Sequence, residues 1–246
     1  IYGGIAGFVD YGPLGNGLRR NLEKLWREYF VINERAIEID TPTIGVEEVF
    51  IASGHVASFI DLAIECKKCS RVFRADHYIE EKLGIKVEND PKVIKEVIES
   101  YNLKCECGGE FKEPLPFNLM LATTIGPGKG KKGYLRPETA QGIFISFKRL
   151  LSYFRDKLPF GVAQIGRAYR NEISPRQGVI RLREFNQAEL EVFVNPKDKN
   201  NHPEFELYAN CKVTFVDKND VEHKITLKEA VSRGIILHEY LSLIHI

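Results

Sequence analysis

Between Gly161 and Val194 apolar and polar residues alternate along GVAQIGRAYRNEISPRQGVIRLREFNQAELEVFV, predicting two strands joined by a loop over Ile173–Val179. Pro175 and Gly178 interrupt pairing in that loop. The two-residue period puts Val162, Gln164, Gly166, Ala168, Arg170 and Glu172 on one face of the first arm. On the second arm it puts Arg181, Arg183, Phe185, Gln187, Glu189 and Glu191 on one face. Ile180, Leu182, Ala188, Leu190 and Val192 fall largely on the other. Helical spacing appears elsewhere. Leu18, Leu22, Leu25, Trp26 and Tyr29 predict an amphipathic helix over about Leu14–Val31, leading into a strand, Ile37–Thr41, closed by Pro42. Val93, Ile94, Val97 and Ile98 predict a helix over Pro91–Asn102. A third helix runs from Pro137 to about Arg155, with Ile143, Phe144, Phe147, Leu150, Leu151 and Phe154 inward. Phe117–Thr124 reads as a strand. After a polar turn region at Asn195–Pro203, Leu207–Val216 and Val221–Leu227 alternate like a strand pair, and a helical stretch over Leu227–Arg233 stops at Gly234.

At 246 residues the chain is long enough to bury a core. A net charge of +1 gives no global pull toward nucleic acid, so any RNA contact rests on local patches. No apolar run approaches a membrane span and no signal peptide is evident, so a cytoplasmic protein with no membrane segment is expected. Ile1 in place of an initiator Met, and an uncapped tail over Leu241–Ile246, read as cut ends.

Five cysteines, an odd and clustered set, argue against a disulfide framework. Cys66 and Cys69 form a Cys-x2-Cys knuckle, and Cys105 and Cys107 a tighter Cys-x-Cys pair followed by Gly108-Gly109. Four thiolates make a closed, structural zinc site; free thiols are the competing reading. Cys211, in an alternating run far from both pairs, is expected in the core. The polar face of the hairpin holds cations suited to phosphate, a Phe suited to a base, and carboxylates suited to an ammonium group. A solvated amphipathic hairpin is the plainer alternative. The Gly-rich opening and the basic loop Gly126–Gly133 match no Walker sequence. A turn and a solvated loop suffice for them, although the loop's lysines also suit RNA phosphates. His55 reads as structural.

Arg170-Asn171-Glu172, a loop, then Arg183-Glu184-Phe185 resembles motif 2 of class II aminoacyl-tRNA synthetases. YRNEISPR and REFNQAELE are similar to the glycyl-tRNA synthetase family in particular. IYGGIAGFVDYGPLG, ASGHV, FRAD, FNLML and YLRPETAQGIF follow in that family's order, so the resemblance covers about Ile1–Leu237. It points to the homodimeric form found in archaea and eukaryotes.

The resemblance implies an α+β fold, an antiparallel sheet flanked by helices with a small zinc-binding insertion. Residues 1–65 would carry motif 1 and its dimer interface, 66–113 the insertion, and 114–246 motif 2. It implies a glycine–tRNA ligase that activates glycine with ATP and Mg2+ and transfers it to tRNA(Gly). The first step needs positioning and charge stabilisation more than a base, because a carboxylate is already a nucleophile. By the same resemblance Arg170 contacts the α-phosphate as the catalytic residue, Glu172 accepts from the adenine amino group and Phe185 stacks on the base. Asn171, Ile180, Arg181, Leu182, Arg183 and Glu184 complete the ATP site. Glu138 and Glu189 hold the glycine ammonium, with Arg74, Phe185, Asn186, Gln187 and Ala188 around the amino acid. A plain reading of Glu138 as first-turn helix chemistry, and of Arg74 as a surface Arg beside the knuckle, stands next to these roles. Arg176 is a candidate for the tRNA acceptor end or the far phosphates. Motif 3 is absent, so an amino-terminal piece of a catalytic domain, weakly active or inactive alone, is expected. The alternative is a non-catalytic synthetase-like module for nucleic-acid binding or assembly.

Overall fold

The computed structural model describes residues 4–175, 178–217 and 220–244, with side chains of 242–244 left aside. Residues 1–147 and 162–191 form one compact unit, and residues 148–161 and 192–246 a second.

The first unit opens with α1 (Gly12–Arg27), which has Pro13 in its first turn and Lys24 and Arg27 in its last. Proline costs nothing there, because the missing N–H has no helical partner, and the cations complement the carbonyl end. The helix continues as a π-helical turn, Glu28–Asn33. The expected apolar stripe is present but uncovered: Leu14, Leu18, Leu22 and Leu25 are all at least half exposed. Two residues of β1 (Ile37–Glu38) then pair in parallel with the first hairpin arm.

Next come β2 (Ile44–Val46), α2 (Glu47–Ala52) and α3 (His55–Ser58). Then β3 (Ile60–Glu65), β4 (Val72–Arg74) and α4 (Ala75–Leu83) lead to α5 (Pro91–Ser100). The Asp90 carboxylate accepts from the N–H groups of Lys92 and Val93 and so starts α5. Leu62, Ile64, Tyr78, Ile79, Ile94 and Phe111 close a core around the buried sulfurs of Cys66 and Cys105.

The single strand expected over Phe117–Thr124 is two strands, β5 (Leu115–Asn118) and β6 (Leu121–Ile125), in different antiparallel sheets. β5 lies beside β3 in the order β4-β3-β5, and β6 beside β7 (Lys131–Leu135) in the order β2-β7-β6. Asn118 makes the break. Its carboxamide oxygen takes the Met120 N–H (2.7 Å), its nitrogen donates to Val56 O, and the Leu119 N–H donates to Phe59 O. Side-chain capture of backbone groups at these residues replaces strand pairing.

α6 spans Ala140–Tyr153. The hairpin follows as β8 (Phe160–Tyr169) and β9 (Glu184–Phe193), in the order β1-β8-β9. Its arms are shorter than the alternation suggests. Arg170–Glu172 and Ile180–Arg183 belong to the connecting loop.

In the second unit, α7 (Phe205–Tyr208) takes the start of the expected strand, and β10 (Lys212–Val216) pairs antiparallel with β11 (Glu222–Thr226). α8 (Leu227–Ser232) is capped by Thr226, whose hydroxyl accepts from the Glu229 N–H, and stops at Gly234 with φ +69°. α9 spans Glu239–Ile244. Phe205, Ala209 and Leu227 are the buried centre of this unit. Cys211 is exposed, not in the core. It precedes β10, and its backbone is engaged: N–H to Tyr208 O and C=O from Leu227 N–H.

Candidate active site and metal centre

Tyr169 is the last strand residue of β8, and the chain then turns sharply. The Arg170 N–H donates to Arg183 O (2.9 Å), the Glu172 N–H to Arg170 O (2.7 Å), and the Asn171 N–H to Leu119 O (2.8 Å). This fixes Arg170 at the mouth of the hairpin. Its Nε donates to Pro137 O (3.2 Å), and its guanidinium carbon lies 5.3 Å from the Phe185 ring centre and 5.5 Å from that of Phe59. Both contacts are cation–π contacts, which hold a planar guanidinium in one orientation.

The acidic end of the face is built by β9 and the residues before α6. Glu189 accepts from the Thr139 hydroxyl and from Gln187 Nε2 (3.2 Å). Glu138 accepts from Gln141 Nε2 (2.9 Å) and faces His55 Nε2 at 3.4 Å. His55 is held in turn by Ser53 (2.8 Å) and lies edge-on to Phe50 and Phe59. Burial raises the Glu191 carboxyl above its ordinary range, and Glu189 and Glu138 push it the same way. Glu191 therefore belongs to this cluster. The alternation through Phe185, Gln187 and Glu189 already pointed to it. Among the described residues, Gln187 Oε1 and Asn186 Nδ2 are buried without a hydrogen-bond partner.

Glu172 is buried at 6% exposure. Arg181 Nε stands 3.0 Å from its Oε2, but off the line of a hydrogen bond, so that oxygen has no donor among the described residues. Arg181 also reaches His77 Nδ1 (3.0 Å). Arg74 is bound on two sides. Nε and Nη2 take both Asp76 oxygens at 2.8 Å, and Nη1 lies 3.0 Å from Asp61 Oδ2. Burial raises the Asp61 carboxyl, with Arg74 pulling the other way.

Other predicted positions lie apart. Ile180 is 85% exposed. Leu182 is buried. Glu184 points away from Phe185, pairs with Arg167 (3.0 Å) and lines a cavity of about 450 Å³ with Asp10, Asn16 and Arg19. Arg183 binds backbone carbonyls, not a carboxylate (Nη1 to Ala6 O at 2.6 Å, Nη2 to Glu172 O at 2.8 Å). Ala188 is half-buried on β9. Arg176 lies outside the described residues.

Beneath the face sits a polar knot that sequence reasoning missed. Arg136, 4% exposed, donates from Nε to Arg167 O (2.7 Å) and from Nη1 to Thr41 O (2.9 Å). Gln164 is fully buried; with its amide oxygen toward the donors it accepts from Arg136 Nη1 (2.6 Å) and the Thr41 hydroxyl (2.9 Å). Gln164 sat in a polar face by period, but nothing in the local sequence paired it with Thr41, 123 positions earlier.

The four knuckle cysteines converge. All four sulfurs lie within 4.8 Å of one another, with Cys66–Cys107 at 3.5 Å and Cys69–Cys105 at 3.7 Å. Tetrahedral zinc with Zn–S bonds of about 2.3 Å sets sulfurs about 3.8 Å apart. The set therefore fits the ion, and the spacing is far above the ~2.05 Å of a disulfide. Gly109 is needed there: a Cβ would stand 2.7 Å from Cys66 Sγ and 2.6 Å from Lys68 Cβ. The Arg71 guanidinium, then the Arg71 N–H, bring the Cys69 thiol down to about 6, which favours the thiolate a metal needs.

Residues 127–218 match the tRNA synthetase class II core domain (G, H, P, S and T). That stretch of the chain is thus a class II aminoacyl-tRNA synthetase core segment. The chain as a whole is similar to glycine–tRNA ligases: 71% identical to that of Archaeoglobus fulgidus over 242 residues, covering 98% of this chain and 42% of the relative. It is 53% identical to that of Methanothrix thermoacetophila and 54% to that of Pyrococcus abyssi, covering 98% of this chain and 43% of each relative. The chain thus spans less than half the length of these relatives.

Proposed function

We propose that the protein carrying this chain is a glycine–tRNA ligase and that the hairpin face is its activation site. The observation that supports this most is the joint placement of Arg170 against Phe185 and of the carboxylates Glu138, Glu189 and Glu191 further along. One end suits a nucleotide and the other a small ammonium compound. In this reading Arg170 contacts the α-phosphate as charge develops there. Asn171, Glu172 and Arg181 form one wall of the ATP site, and Oε2 of Glu172, which faces Arg181 but accepts no hydrogen bond among the described residues, is the natural acceptor for the adenine amino group. Phe185 offers a ring face to the base. Glu138 and Glu189, each oriented by neutral donors, hold the glycine ammonium, with Gln187 Oε1 as a further acceptor and Arg74, Asn186 and Ala188 around it. Crowding by three acids leaves little room for a side chain. Mg2+ would shield the ATP phosphates, and tRNA(Gly) is the acceptor.

The same reading assigns residues 1–65 to the motif 1 part of the catalytic core, 66–113 to the insertion and 114–246 to the motif 2 part. Cys66, Cys69, Cys105 and Cys107 would hold a structural Zn2+, whose role is to close the module. The exposed leucines of α1 suit a homodimer interface. No helix among the described residues is long and apolar enough to cross a membrane, and a cytoplasmic site of action is proposed.

ATP–pyrophosphate exchange across a panel of amino acids, on the protein at its full natural length, tests the reading. Exchange with glycine alone is expected. Arg170→Ala should lower it by about 10²–10³-fold, the usual effect of deleting a donor to developing charge. Near-normal exchange in that variant, or exchange with a bulkier amino acid in preference to glycine, would overturn it.

A further inference from the structure

Arg183 lies on the polar face of the second arm by period, as a phosphate contact would. Its hydrogen bonds run elsewhere. Nη1 donates to Ala6 O (2.6 Å) and Nη2 to Glu172 O (2.8 Å). Its backbone N–H donates to Gly7 O (2.7 Å) and its carbonyl accepts from the Arg170 N–H (2.9 Å). Nε is buried and makes no hydrogen bond among the described residues. One residue thus ties three stretches together: the opening segment at Ala6–Gly7, the turn Arg170–Glu172, and the start of β9.

Gly7 lets the opening segment lie this close. Its φ is +87°, and a Cβ there would stand 2.8 Å from Pro175 Cγ, 3.0 Å from Arg183 Cγ and 3.1 Å from Arg183 N. A side chain at Gly7 would meet both the loop and the clamp, in a conformation that L-residues rarely adopt.

We infer that Arg183 is a positioning residue. With the Ala6–Gly7 strap it sets the turn that presents Arg170 and Glu172, and it does not touch ATP. A guanidinium committed to two carbonyls in a buried setting has little left to offer a phosphate. Misplacing the turn by about 1 Å would cost on the order of 10²-fold in activation. The inference rests on the reading of Arg170 as the activating residue, and it reassigns Arg183 within that reading.

The test compares Gly7→Ala, Arg183→Lys and the double variant with the unaltered protein at full natural length, using two measurements. The first is hydrogen exchange without nucleotide. The Arg170 and Glu172 amides should exchange about 10-fold faster in both single variants, while those of β3 and α4 stay unchanged. Acceleration spread evenly over β3 and α4, or none at Arg170 and Glu172, overturns the inference. The second is glycine-dependent pyrophosphate exchange. Both single variants should lose kcat/KM for ATP alike, and the double variant should be no worse than the poorer single one. A rise in KM for ATP confined to Arg183→Lys, with Gly7→Ala silent, would mark Arg183 as a phosphate ligand. If the unaltered protein shows no exchange with glycine, the ligase reading falls, and the amide measurement alone still decides whether the strap sets the turn.

Discussion

Gly142, the third residue of α6, is the place where a single methyl group should do most damage. An added Cβ would stand 2.0 Å from Thr41 Oγ1, 2.8 Å from its Cβ and 3.0 Å from its Cγ2. Helix propensity alone favours Gly142→Ala, by at most about 1 kcal/mol. Against it, overpacking costs about 1–3 kcal/mol. Thr41 cannot turn aside freely, because its hydroxyl is bonded to Gln164 and its carbonyl to Arg136. Giving up those bonds costs about 1 kcal/mol each. The packing terms win, and a net loss of about 1–3 kcal/mol is expected. For a chain of this size that lowers Tm by roughly 2–4 °C per kcal/mol. The assay is urea unfolding followed by circular dichroism, where the midpoint should fall at constant slope. Thr41→Ala removes two of the three offending atoms, so the double variant should lose less than the sum of the singles. A Gly142→Ala protein as stable as its parent would refute the reasoning.

Two further outcomes are expected. The purified protein should carry about one zinc per chain, lose it in Cys69→Ser, and melt at a lower temperature after chelation; a metal-free protein whose melting a chelator leaves unchanged would remove the metal from the account. Glu191→Gln should stabilise the fold at neutral pH. The folded carboxyl titrates above its unfolded value, so its ionised form carries a cost. That cost is present above the folded pKa and gone once pH falls below the unfolded one. The variant's advantage should shrink across that acid window, and an advantage that persists below it would exclude the carboxyl as the cause.

The parts of the molecule set by local periodicity were legible in the sequence. α5 falls where helical spacing puts it, α6 does so except that it starts at Ala140 and leaves Pro137 and Glu138 before it, and Gly234 ends α8 as a left-handed stop. The knuckle cysteines meet as their spacing implied. What could not be read depends on distant partners. Arg181 and Arg183 share one face by alternation, yet one meets Glu172 and His77 and the other Ala6, because β9 begins only at Glu184, after both. Cys211 looked inward in an alternating run, but α7 occupies the residues just before it and leaves it outside. The Thr41–Arg136–Gln164 knot joins three remote stretches, and no period reports such a meeting. The stripe of α1 was visible, but none of the described residues covers its leucines.

The switch of sheets at Asn118 makes length a fixed quantity. Only Leu119 and Met120 separate β5 from β6, and their backbone groups are committed: Leu119 N–H to Phe59, Leu119 O to Asn171, Met120 N–H to Asn118. An inserted residue there would shift β6 against β7 by one position and turn every side chain of that strand to the opposite face. The turn at Gly126–Gly130 is exposed throughout and joins neighbouring antiparallel strands, so it tolerates extra residues. A peptide tag or a fluorescent reporter belongs in that turn, a short stretch of strand away from a junction that accepts nothing.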